Sequence, residues 1–249
     1  MAKVNHTDKV RAQLIEKLTF GEYPPGHTFK LKELLLDPEF SDMSQTPIRE
    51  ALLQLCATNI LIGQRGFSVR VPIPSAEHLA EVRQIRTNLE LMAATQHMHE
   101  WDDSNITELE DIHQKMMLAK ADRDIKNQLR QNALFHMRLC NMESDSYLKS
   151  IIKMLWAITG PSIGYLYGDS KTPVFTGKHP HEEIIEAIRK HDAKALEKAL
   201  FRDLNSTGTR IIEALKASLS PEALTLQPFR PMSLVRERTR QGRALKSTK

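Results

Sequence analysis

Ser44, Gln45, Thr46 and Arg49 crowd the start of a stretch with helical periodicity, and together they carry the donors and acceptors that read a DNA duplex. An arginine there reaches guanine or a phosphate, a glutamine pairs with adenine, and the two hydroxyls bond backbone phosphates. The same residues would equally serve as helix capping and solvated surface. Further along, Arg86 and Glu90 stand four apart, the spacing of an intrahelical ion pair. Tyr165 and Tyr167, between Gly160 and Gly168, can give hydroxyls to a pocket at a helix break. His97, His99, His179 and His191 fall near helix ends and before Pro180, positions expected at the surface. The two cysteines, Cys56 and Cys140, build neither a disulfide framework nor a thiolate zinc cluster, and read as small buried hydrophobes.

The elements that position these groups follow from periodicity. Val10, Leu14, Ile15 and Leu18 form an apolar stripe on a first helix that Gly21 ends, followed by a Tyr23-Pro24-Pro25-Gly26 turn. A second short helix runs from Leu31 to Leu36 and stops before Pro38. The third begins at Ser44 or Thr46, whose side chain can accept from the free amides of a first turn that also tolerates Pro47. Its inward face is Ile48, Leu52 and Leu55. Residues 60–71, apolar on both sides of Gly63-Gln64-Arg65-Gly66, predict a β-hairpin. Three helices and a small hairpin make a winged helix-turn-helix, whose third helix enters the major groove.

From Ser75 to about Ser218 the signal is uniformly helical, so the expected class is mainly α: a winged helix-turn-helix followed by an all-α bundle. Val71-Pro72-Ile73-Pro74 marks the junction, because alternate prolines interrupt a helix. The expected divisions are 1–74, 75–220 and a basic tail, 221–249. Leu79, Val82, Ile85, Leu89 and Met92 would line one face of the bundle's first helix, and Tyr147 to Ile158 an apolar core helix containing Trp156. The chain has 249 residues and net charge +4, of which residues 225–249 alone hold +6. No apolar run is long enough to span a membrane, and the N-terminus lacks the apolar core of a signal peptide, so a cytoplasmic protein is expected.

Ser44-Gln45-Thr46-Pro47-Ile48-Arg49-Glu50-Ala51-Leu52 resembles the signature of the GntR family of bacterial transcription regulators. Pro24-Pro25-Gly26 and the hairpin ending at Val71 sit where that family has its turn and wing. The resemblance implies DNA contacts by Thr46, Arg49 and Gly66, with Arg65 beside Gly66 on the wing. It departs at Gln45, where the family has arginine, and at Asp37 to Met43, a longer and more acidic turn.

Ile85 to Glu90 resembles the opening of the FCD effector domain found in the FadR subgroup of that family. This resemblance implies that Arg86 faces a carboxylate ligand in the bundle, as the alternative to a plain ion pair. FCD domains commonly hold a divalent metal on an aspartate and three histidines. Asn132 and His136 occupy the first two of those positions, His181 the third and Asp203 the fourth. Two nitrogens and a carboxylate oxygen suit zinc, nickel or iron(II), with Asn132 as a weak oxygen donor. The same four residues, with Arg86 and Tyr165, would otherwise line a metal-free polar pocket.

The expected function is a homodimeric, ligand-responsive regulator, more often a repressor, that reads a palindromic operator and carries no enzymatic activity. A metal-dependent enzyme on the bundle, with His136, His181 and Asp203 activating water, is the competing class. It lacks an evident general base and leaves the reading head without a use. A DNA-binding structural protein with a pocketless bundle is the third reading.

Overall fold

A computed structural model describes residues 5–64, 68–142, 146–167, 177–206, 211 and 213, with the side chains of residues 64, 165–167 and 206 outside that description. Arg65, Gly66, the Tyr165 side chain and the tail therefore lie outside the described residues.

Helix α1 spans His6–Thr19, α2 Leu31–Leu36 and α3 Gln45–Ala57. Val10, Leu14 and Leu18 of α1 pack with Ile48, Leu52 and Leu55 of α3 and Leu34 of α2 in one core. Asn5 caps α1 by accepting from the Thr7 amide. Ser44 holds the capping position of α3 but makes no side-chain cap hydrogen bond, so one of its two expected uses falls away. The long acidic turn before α3 is anchored rather than loose. Phe40 is fully buried and Met43 nearly so, while Lys17 meets Asp37 at 3.5 Å and Glu39 at 3.2 Å.

Strands β2 (Ile62–Gln64) and β3 (Ser68–Arg70) form the expected antiparallel hairpin. A third strand, β1 (Thr28–Phe29), joins the other edge of β3, giving the order β1-β3-β2 with Phe29 opposite Val69. Two residues carry too little alternation to announce a strand, and the pairing of β1 depends on β3 being present.

The bundle comprises α4 (Ala76–Gln96), α5 (Asp103–Ala121), α6 (Ile125–Leu139), α7 (Tyr147–Tyr167), α8 (Pro180–Arg189) and α9 (Ala193–Ser206). Ser75, Asp102 and Asp124 cap α4, α5 and α6 by accepting from the amide three residues on. The inward face of α4 differs from the expected one. Leu79 is buried, but Ile85 and Met92 are exposed, and Arg86, Glu90 and Ala93 point inward instead. Charged groups take the interior only because each finds a partner there, and a hydropathy pattern cannot register such pairing.

Helix α7 also corrects an expectation. It does not break after Ile158 but continues through Gly160 and Pro161 to Tyr167. Gly160 lies against the backbone end of α1, so close that a Cβ there would meet the Leu18 carbonyl oxygen at 2.3 Å. Around this crossing the halves share cores: Ala157 of α7 packs in the N-terminal core, and Phe20 packs in the bundle with Leu129 and Trp156. No described helix is long and apolar enough to cross a membrane.

Candidate functional site

Ser44, Gln45, Thr46 and Arg49 are all exposed on the first two turns of α3, while Ile48 between them is fully buried. Burying Ile48, Leu52 and Leu55 turns the polar side of α3 outward, so the helix face is decided by its apolar residues. Glu50 accepts from the Thr7 hydroxyl at 2.9 Å, which ties the start of α1 to α3.

The bundle residues converge on one buried line of charge. Arg86 of α4 donates from Nε to Glu90 Oε1 at 2.8 Å and from Nη1 to Thr159 Oγ1 of α7 at 2.9 Å. Its guanidinium lies 3.7 Å from the centroid of the Trp156 ring. The second Glu90 oxygen is 2.9 Å from Nδ1 of His136 on α6. On the far side, His136 Nε2 is 2.9 Å from Asp203 Oδ2 of α9. That same oxygen is 3.5 Å from His181 Nε2 of α8, a separation that closes no hydrogen bond. Arg86, Glu90, His136, Asp203 and His181 are each no more than 7% exposed, so water contributes little screening.

The order of charges explains the protonation states. Burial alone would raise the Glu90 carboxyl, but Arg86 and His136 outweigh it and hold it below the usual range. Burial likewise opposes charge on His136, yet the Glu90 and Asp203 carboxylates raise it to about 9. Asp203, flanked by His181 and His136, is held low against its burial. His181 goes the other way: burial, with His136 and His113 nearby, lowers it to about 4 despite Asp203. The line therefore reads cation, anion, cation, anion, neutral imidazole, and the Arg86–Glu90 ion pair is its first link rather than a surface contact.

His136, His181 and Asp203 are brought together as the resemblance implied, with one ligand atom of each within 4.8 Å of the others. Asn132 stands one turn before His136, half-buried on the same helix. Two imidazoles and a carboxylate match a transition-metal dication in donor type, and Glu90 on the other nitrogen of His136 is the outer partner that such ligands carry. Among the described residues neither ring nitrogen of the fully buried His181 has a hydrogen-bond partner, as expected of a side chain presented to a ligand.

A second group was missed in the sequence. His113 of α5, His179 and His181 also place one ligand atom each within 4.8 Å of the others. His179, expected at the surface, is half-buried and caps α8, its Nδ1 accepting from the His181 amide at 3.1 Å. Burial lowers it to about 3. His97 is half-buried beside Glu100, whereas His99 and His191 are exposed as expected. The alternating His179 and His181 were a visible signal. His113, mid-helix and remote in sequence, gave none.

Comparison with known proteins identifies this architecture. Residues 81–206 match the FCD domain family. The HTH-type transcriptional regulator McbR of Escherichia coli strain K12 is 31% identical over 167 residues, 67% of this chain and 74% of McbR. The solved structure of E. coli McbR/YncC superposes with a TM-score of 0.75 at 26% identity, covering 85% of this chain and 99% of that one. A GntR transcriptional regulator from Rhodococcus sp. RHA1 shares the fold, with a TM-score of 0.65 at 19% identity over 84% of this chain and 98% of its own. The chain thus belongs to the GntR family of transcription regulators, a winged helix-turn-helix joined to an FCD domain, and is a DNA-binding, effector-responsive regulator rather than an enzyme.

Proposed function

We propose that this protein binds a palindromic operator as a homodimer, chiefly to repress, and that a small carboxylate bound inside the bundle alters its hold on DNA. One recognition helix covers only a few base pairs, so two helices set about one helical turn apart are needed for a specific site. On each α3, Arg49 is assigned to a guanine or phosphate, Gln45 to a base edge, and Ser44 and Thr46 to phosphates. Arg65 and Gly66 of the wing complete the contact set.

The observation that carries the effector reading is the pair of unspent donors along the buried line of charge. Among the described residues Arg86 Nη2 is buried without a hydrogen-bond partner, and so is Trp156 Nε1 of the ring beneath that guanidinium. Leaving a guanidinium nitrogen unpaired in an interior costs stability, and an incoming carboxylate, the natural bidentate partner of arginine, would repay it. Asn132, His136, His181 and Asp203 form the polar lining beyond Arg86, and Tyr165 is assigned to the same pocket. A dication is the remaining component. Zinc, nickel and iron(II) suit the imidazole and carboxylate donors around His181, among them His136, Asp203 and the weaker Asn132, and such an ion adds positive charge for a carboxylate ligand.

The coupling requires that the effector bind two arrangements of the reading heads with different affinity. The test is enrichment of duplexes from a random library by the purified protein, followed by operator titration with and without small carboxylates. A short palindrome should emerge, and Arg49→Ala should weaken its binding by about 1–3 kcal/mol. Operator affinity that no carboxylate alters would remove the effector half of the proposal, and wild-type affinity in Arg49→Ala the DNA-reading half.

A further inference from the structure

Around His181 the structure offers two sets of donors, and their hydrogen bonding distinguishes them. In the family position His136 is already engaged at both ends, with Nδ1 2.9 Å from Glu90 and Nε2 2.9 Å from Asp203. A metal there must part His136 from Asp203, and the family's first carboxylate is here the neutral Asn132. The second set joins His181 to His113 and His179. Among the described residues His113 Nδ1 and both nitrogens of His181 are buried without hydrogen-bond partners.

The rings of this second set are also held in place. The centroids lie 5.1 Å apart for His113 and His179, 5.5 Å for His113 and His181, and 4.6 Å for His179 and His181. Phe135 stacks on His181 at 3.7 Å with the planes 1° apart, which fixes the imidazole plane. Glu182 Oε1 stands 3.6 Å from His113 Nε2, so the carboxylate lies nearest the ring nitrogen other than the unpartnered Nδ1. His179 spends Nδ1 on the cap of α8, which sets its ring. His181 is fully buried, the His113 side chain is 11% exposed and His179 is half-buried.

We propose that His113, His179 and His181 form a tri-imidazole site for a transition-metal dication, and that the ion sits there in preference to His136, His181 and Asp203. Three neutral imidazoles with an open fourth position favour nickel, zinc or cobalt(II) over magnesium or calcium. Both sets draw on His181, and one ion per chain is the expected stoichiometry. The inference shares with the functional reading only the dication itself, and it is read without DNA or effector, so its failure leaves the regulatory reading standing.

The test is calorimetric titration of the metal-free full-length chain with nickel chloride. One equivalent should bind, with binding lost in His113→Ala and in His179→Ala and retained in Asp203→Asn. X-ray absorption of the nickel-loaded wild-type chain should count three imidazoles, which decides the matter even where Asp203→Asn does not fold. Absence of nickel binding by the wild-type chain, unchanged binding in either histidine variant, or a count of two imidazoles would overturn the proposal.

Discussion

Replacing Gly160 by alanine tests the joint between the reading head and the bundle. A Cβ at this position would stand 2.3 Å from the Leu18 carbonyl oxygen, 2.5 Å from that of Thr19 and 2.8 Å from the Thr19 carbonyl carbon. All three are backbone atoms, so no side-chain rotation relieves the overlap, and α1 and α7 must part by roughly 1 Å, at the upper end of the ~1–3 kcal/mol typical of overpacking. Alanine returns about 1 kcal/mol through its better helix propensity, leaving a net loss of about 2 kcal/mol. For a chain of this size that is a fall in Tm of roughly 4–8 °C. Gly164, one turn on, is the control, since a Cβ there meets only Leu129 Cδ1 at 3.6 Å, an ordinary contact. Thermal denaturation followed by circular dichroism should show Gly164→Ala unchanged or slightly more stable and Gly160→Ala clearly less so. If the two variants melted alike, at or above the wild-type temperature, the close crossing of α1 and α7 would be refuted. If a change in the bundle reaches α1 through this crossing, as the proposed coupling requires, Gly160→Ala should also alter operator affinity.

Removing the charge of Glu90 by Glu90→Gln strands Arg86 and His136 in the interior, and urea unfolding should register a loss of about 3–5 kcal/mol; a loss within error would show that the line of charge is not buried as described. Phe135→Ala removes a fully buried ring stacked on His181, with an expected cost of about 3–5 kcal/mol by the same assay and weaker metal binding. Burial pushes the Cys56 thiol to about 11 and raises that of Cys140, so neither should react with a thiol reagent at about pH 8 until the chain is denatured. Rapid labelling of the native protein at either position would contradict that burial.

Where the sequence was legible, a local rule governed the outcome. Val10, Leu14 and Leu18 announced α1 because spacing and burial coincide on a short amphipathic helix. Ile48, Leu52 and Leu55 announced both α3 and the direction in which Ser44, Gln45, Thr46 and Arg49 face. Prolines and a serine cap located the start of α4. Elsewhere a distant partner decided. On α4, Arg86 and Glu90 displaced Ile85 and Met92 from the interior because Thr159, Trp156 and His136 awaited them. The stretch between Gly160 and Gly168 suggested a helix break, yet α7 runs on through Gly160 and Pro161 where it packs on α1.

The sequence by itself determined the two-part architecture, the third helix with its outward polar residues and three of the residues that surround His181, since periodicity, caps and a family signature are properties of neighbouring residues. Only the tertiary structure decided that Gly160 forms the joint, that Arg86 opens a buried line of alternating charge, and that His113 and His179 flank His181. Those facts depend on which helices touch, and contacts between groups tens of residues apart leave no periodic trace in the chain.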